Sequence, residues 1–162
     1  LSDEFFQTPF PSAPDLVPMT RIACDVEGLV SLGDAPMGER RYVPLRGGTV
    51  RGPEMNGHIV AGGVDWQVAR RDGALEIAAH YVIETLDGAR VEVQSTGLRH
   101  GPADVMARLA AGESVGAGEY FFRTLVRFTT GHAGWLHLNK VMAIARGERK
   151  ARQVLLDLYR LT

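Results

Sequence analysis

Residues 64–99 read VDWQVARRDGALEIAAHYVIETLDGARVEVQSTGLR, three strand-like runs joined by two Asp-Gly turns. The middle run sorts by alternation into an apolar set, Leu75, Ile77, Ala79, Tyr81 and Ile83, and a mixed set, Glu76, Ala78, His80, Val82 and Glu84. Successive side chains of a strand point to opposite faces, so the odd set is the core face. In the next run Val91, Val93, Ser95, Gly97 and Arg99 are the more apolar set, against Arg90, Glu92, Gln94 and Thr96. Directly opposed residues of an antiparallel pair share a face, so odd must pair with odd.

A two-residue Asp87-Gly88 loop violates that rule, because it sets Ile83 beside Glu92. A three-residue loop, Leu86-Asp87-Gly88, with Gly88 in the left-handed conformation, obeys it. It opposes Ile83 to Val91, Tyr81 to Val93 and Ala79 to Ser95. The same loop at Arg71-Asp72-Gly73 opposes Ala69 to Leu75, Gln67 to Ile77 and Asp65 to Ala79. Asp65 then lies diagonal to Tyr81, within side-chain reach. A one-residue slip would turn Trp66 inward and Asp65 outward. The predicted register therefore puts Asp65, Gln67, Tyr81, Ser95 and Arg99 on one otherwise apolar face.

Further strand-like runs extend on both sides, at about 15–30, 41–51, 54–61, 119–130, 134–146 and 151–160, with Gly or Pro between most of them. Evenly spaced strands joined by hairpins predict an all-β fold, an antiparallel up-and-down β-barrel of about eight strands; closure removes exposed edges. One short α-helix is expected from Pro102 to Ala111, with Val105, Met106 and Leu109 on one side and Gly112 as its stop. It should pack across a barrel end. Residues 1–14 read as an irregular arm whose Phe5, Phe6 and Phe10 are available to pack on the body, and 15–162 as a single barrel domain. In the run 119–130 both faces carry large groups, Tyr120, Phe122, Val126 and Phe128 on one and Phe121, Arg123, Leu125 and Arg127 on the other. A second copy covering the outer face, a homodimer, is one expectation that follows.

The 162 residues hold 18 basic and 19 acidic side chains, and the pI is near 6.6. Nucleic-acid binding, which leans on several phosphate-neutralising cations, finds no support there. The tract Arg146, Arg149, Lys150 and Arg152 reads as a solvated hairpin turn. Cys24 is the lone cysteine, so no intramolecular disulfide forms and a reducing, cytoplasmic setting is expected. Leu1–Pro14 lacks the basic start and apolar core of a signal peptide. Because the chain opens on Leu1 rather than Met, a preceding segment, either processed away or outside this sequence, is expected, and secretion is disfavoured. No stretch approaches the ~20 apolar residues of a membrane span. His58, His80, His100, His132 and His137 lack close same-face spacing, so neither a metal nor any other cofactor is expected.

Five motifs run in order: Arg46-Gly47-Gly48-Thr49, Gly62-Gly63-Val64-Asp65-Trp66, Gly97-Leu98-Arg99-His100-Gly101, Glu119-Tyr120-Phe121-Phe122-Arg123-Thr124 and Leu138-Asn139-Lys140. Together, over about residues 15–160, they resemble the uncharacterised microbial family catalogued as domain of unknown function 3237. The resemblance implies a single antiparallel barrel, similar in outline to lipocalin-like and cyclase barrels, and gives weight to Tyr120, Arg123 and Asn139 as ligand contacts. It implies no activity. His137 departs from the family pattern, in which a tryptophan often precedes the Leu-Asn pair, and Trp135 is expected to fill that volume.

The polar cluster has two readings. A buried carboxylate is costly without partners. Asp65 is then either a general base, with Tyr81 as proton donor and Arg99 holding an oxyanion, or a structural residue bonded to the Gly62-Gly63 turn and paired to Arg99. Gln67, Ser95, Tyr120, Arg123 and Asn139 would contact the substrate. The first functional expectation is a cofactor-independent isomerase, cyclase or lyase for an apolar or aromatic enolisable small molecule. The alternative is a carrier or sensor barrel, and the third is a barrel filled by side chains, with no cavity behind Tyr81.

Overall fold

The computed structural model describes residues 3–162. After a single helical turn, α1 (Glu4–Gln7), come β1 (Leu16–Val26), β2 (Val30–Ala35), β3 (Gly38–Arg51), β4 (Gly57–Arg70), β5 (Leu75–Thr85), β6 (Arg90–His100), α2 (Ala103–Ala110), β7 (Phe121–Thr129), β8 (Met142–Arg149) and β9 (Gln153–Leu161). Neighbouring strands pair antiparallel from β3 through β9. β1 pairs with β9 along one edge and with β3 along the other, so eight strands close into a barrel. β2 stands outside the ring, hydrogen-bonded to the first part of β3.

The two central hairpins have the predicted register. Asp65 opposes Ala79 and Gln67 opposes Ile77; Ala79 opposes Ser95, Tyr81 opposes Val93 and Ile83 opposes Val91. Each loop has three residues. The Arg70 and Thr85 amides donate to the Ala74 and Ala89 carbonyls, both at 2.9 Å, and Gly73 and Gly88 take φ of +89° and +84°. In β7 the even set, Phe122, Thr124, Val126 and Phe128, points inward as expected.

Three elements depart from the sequence reading. The runs 54–61 and 64–70 are one strand, β4, whose register against β5 shifts between Val60 and Val64. The Gly62-Gly63 pair that suggested a break is a bulge, which bends the strand without ending it. A Cβ on Gly63 would fall 2.6 Å from Tyr81 Cβ, so only glycine lets β4 approach so closely there. Residues 31–35, which lie between runs in the sequence, join Val30 in β2. The run 134–146 is a 3₁₀ turn, Ala133–Lys140, followed by β8. Its apolar residues recur every three, Trp135, Leu138 and Val141, the period of a 3₁₀ helix rather than a strand; Leu138 is buried.

The arm also differs from expectation. Phe5, Phe6 and Phe10 are 74%, 84% and 100% exposed rather than packed on the body. The short helix forms as expected and buries Val105 and Leu109. No helix among the described residues is long and apolar enough to cross a membrane.

The barrel interior has two halves. Toward the β5–β6 loop it is close-packed by Met19, Ile22, Val50, Ile83, Val91, Val93, Val126 and Leu138, each 2% exposed or less. Each such side chain contributes roughly 1.5–3 kcal/mol through loss of apolar contact with water. Toward the opposite end, where β6 ends and β7 begins, the inward residues become polar.

Candidate functional site

The polar half encloses a cavity of about 50 Å³, to which all eight barrel strands contribute. A buried water takes roughly 10–15 Å³ on this scale, so the space suits a few waters or a small, slender ligand. Tyr81 lines it, which removes the reading of a barrel filled to its axis. Asp65, Gln67, Ser95 and Arg99 line it too, so the five residues that alternation put on one face do meet around one space. Val43, Leu45, Ile77 and Leu156 supply apolar wall.

Asp65 anchors a short hydrogen-bonded chain. Gln67 Nε2 donates to Asp65 Oδ2 at 2.6 Å, and Arg41 Nε donates to Gln67 Oε1 at 3.0 Å. The other oxygen, Asp65 Oδ1, is buried with no partner. Tyr81 OH and Arg99 Nε are likewise buried and unpartnered, and these three are the full set of such side-chain atoms among the described residues. A buried polar atom without a partner costs about 1–3 kcal/mol. All three therefore sit on one cavity at a standing cost to stability.

Burial pushes the Asp65 carboxyl above its ordinary range, against the Gln67 hydrogen bond, the Arg99 charge and the Ala78 amide. Burial also pushes Tyr81 up, aided by Cys24 and Asp65, so its hydroxyl keeps its proton and can act as a donor. Arg99 falls to about 10 through burial and then the charges of Arg149 and Arg41, yet stays cationic at neutral pH. The Cys24 thiol, also on the cavity, is pushed up to about 12 by burial and the Asp25 and Asp65 charges. It is a protonated wall residue at neutral pH.

The particular structural partners expected for Asp65 and Arg99 are not the ones observed. None of the ion pairs among the described residues includes Arg99. Glu119, the acidic residue that opens the Glu119–Thr124 motif, takes Arg108 at 3.4 Å and not Arg99. Arg99 instead lies over the Phe122 ring, 5.7 Å from its centroid. Asp65 is held by Gln67 rather than by the Gly62-Gly63 turn.

Ser95 spends its hydroxyl on Thr124 Oγ1 at 2.8 Å, joining two polar wall residues. Tyr120 is buried beside the cavity rather than on its lining, and its hydroxyl accepts the Arg149 backbone N–H at 2.8 Å. Arg123 does not reach the cavity. It belongs to the outward set of β7, where it lies over Phe121 at 5.4 Å and donates to the Phe122 carbonyl. Asn139 is at the other end of the barrel. Its side chain accepts from the Thr130 amide and donates to the Thr130 and Leu136 carbonyls, holding the 3₁₀ turn. Trp135 packs part-buried against the core at that same far end, and its Nε1 donates to Asp87 at 3.0 Å.

Arg149 corrects the reading of its tract as a solvated turn: it is half-buried and lines the cavity. The alternation Ala143, Ala145, Gly147, Arg149 on the inner face of β8 was the available signal. The basic neighbours on both sides obscured it.

The sequence pattern of the protein family of unknown function DUF3237 matches residues 14–161. The chain belongs to that family. A UPF0311 protein of Rhodopseudomonas palustris is 34% identical over 140 residues, covering 86% of this chain and 92% of the relative. The crystal structure of a conserved protein of unknown function from the same organism superposes with a TM-score of 0.91 at 31% identity, covering 94% of this chain and all of that one. A β-barrel-like protein of Acinetobacter baumannii gives 0.82 at 32% identity, over 96% of this chain and all of the other. A structure described as an enzyme from Penicillium herquei gives 0.73 at 20% identity, over 96% and 99% of the two chains, and shares the fold alone.

Proposed function

We propose that the barrel is a cofactor-independent isomerase, cyclase or lyase acting on a small enolisable molecule. The observation that carries this reading is the set of three unpartnered buried atoms, Asp65 Oδ1, Tyr81 OH and Arg99 Nε, on one cavity. They are an acceptor, a donor and a cationic donor, the three parts that proton abstraction next to a carbonyl requires. Asp65 takes a proton from the carbon beside the carbonyl, and the C–H electron pair moves to the carbonyl oxygen. Tyr81 and Arg99 stabilise the enolate by hydrogen bonding and charge. Return of the proton from Asp65 to a different carbon isomerises the substrate, and loss of a leaving group from the enolate makes the reaction a lyase. A carboxyl raised by burial is better matched to this work at neutral pH than an ordinary one.

The test is a mass-spectrometric comparison of small-molecule extracts incubated with wild type and with Asp65→Asn. A compound pair that interconverts only with wild type, at a rate reduced about 10²-fold or more in the variant, is the expected result. A compound enriched on both proteins but unchanged would make the barrel a carrier or sensor instead. Equal turnover by both proteins would remove Asp65 as the base.

The proposed partner of the outer face of β7 and β8 is a second copy of the chain, because Leu125 and Met142 remain 58% and 49% exposed there. Sedimentation velocity at micromolar concentration should give a homodimer, and a monomer would end this part of the proposal.

A further inference from the structure

Charge is unbalanced in the cavity. Two guanidinium groups, Arg99 and Arg149, line it against a single carboxylate, Asp65. The remaining cation of the hydrogen-bonded chain, Arg41, is already paired with Glu39 at 3.2 Å. Neither Arg99 nor Arg149 has an acidic group at ion-pair distance among the described residues. Arg149 uses its side chain only to reach the Gln153 carbonyl, at 3.4 Å. Its main chain is pinned by the Tyr120 hydroxyl, which fixes the base of the guanidinium arm. Arg99 Nε is buried and aimed at no acceptor. With Asp65 ionised, one positive charge is uncompensated inside the barrel, and a buried charge without a partner is expensive.

Building on the proposal of an enolisable ligand, we infer that the cavity takes an organic monocarboxylate, with its carboxylate between Arg99 and Arg149 and its apolar body against Val43, Leu45 and Ile77. A planar carboxylate accepts paired N–H bonds from a guanidinium fork. It brings the one charge needed, where a phosphate dianion would bring nearly two. Arg99 has donors left over for the enolate oxygen, since guanidinium carries five N–H groups. Burial first, and then the charges of Arg149 and Arg41, pull Arg99 down, and an anion between the guanidinium groups would offset the repulsive part. Tyr120 is on this account a positioning residue, acting through Arg149.

The experiment titrates acetate, butyrate and benzoate, and the matched amides acetamide, butyramide and benzamide, into ¹⁵N-labelled protein while following the arginine Nε–Hε resonances. Each carboxylate that fits should bind at least about tenfold more tightly than its amide, equivalent to about 1.4 kcal/mol. It should also shift the Arg99 Nε–Hε resonance. Arg149→Gln should erase most of that preference, and Arg149→Lys, which keeps the charge but loses the fork, should retain part of it. The amide spectrum of each variant reports whether its fold is intact. Equal binding of carboxylates and amides at the cavity would leave the ligand cavity standing and overturn the anion clamp. Carboxylates that bind without moving Arg99 would overturn the clamp as well. If none of the six compounds perturbs any cavity residue, the clamp is overturned, while the enolisable-ligand reading stands or falls on the turnover comparison of wild type with Asp65→Asn.

Discussion

The two halves of the barrel are built from the same eight strands and the same alternation, yet they do opposite things. Near the β5–β6 loop, inward positions are Ile83, Val91, Val93 and Val126, all 1% exposed or less. A few residues along the same strands, inward positions become Asp65, Gln67, Tyr81, Ser95 and Arg99 around a cavity. The first half supplies apolar burial with no unmet polar group. The second holds every unpartnered buried side-chain atom found among the described residues. Close apolar packing and unmet polar groups are thus separated along the barrel axis, and on the proposed function the polar atoms costly to the fold stand where a ligand would meet them.

The sharpest way to break this comparison is a matched pair of truncations. Ile83→Ala in the packed half should cost near the upper end of the roughly 2–5 kcal/mol range for such changes, because nothing can refill the void. Ile77→Ala, on the cavity wall, should fall near the lower end, because water can enter the enlarged space. Urea denaturation of both variants measures this, and equal losses would mean that the cavity half is as tightly packed as the other.

A smaller effect tests the electrostatic side. Asp65 has a folded-state pKa raised above its unfolded value of 3.8, chiefly by burial. Below the unfolded value the carboxyl is protonated in both states and carries no penalty. As pH rises from there through the raised folded value, the unfolded chain releases its proton more readily, and stability is lost; beyond it the loss is constant. Asp65→Asn should therefore raise the melting temperature by a few degrees at pH 7 and by nothing near pH 3. A gain independent of pH, or a loss at pH 7, would show that ionised Asp65 is well solvated and does not stand at a cost.

Much of the site was legible in advance because the relevant rule is local. Parity along β4, β5 and β6, with two three-residue loops, was enough to bring Asp65, Gln67, Tyr81, Ser95 and Arg99 to one face. Arg123 followed the same rule outward, although the family resemblance had given it weight as a contact. The 3₁₀ turn was less legible, since Trp135, Leu138 and Val141 carry a three-residue period amid residues that also alternate. Asn139 serves that turn by bonding Thr130 and Leu136.

What the sequence by itself determined is the set of faces. A strand's alternation and a loop's length are properties of neighbouring residues, so Asp65 could be set diagonal to Tyr81 without knowledge of the rest of the chain. Only the tertiary structure decided which distant strands close the ring. Pairing of β1 with β3 and β9 brings Cys24 and Arg149 to the cavity that holds Asp65. The Gly62-Gly63 bulge seats Tyr81 there, because Gly63 has no Cβ to hold the strands apart. The choice between partners far apart in sequence is made by the packing of the whole interior and by the removal of open edges. The charge inside the barrel is likewise a property of the closed ring, since Arg149 joins Arg99 and Asp65 only when β8 takes its place in it.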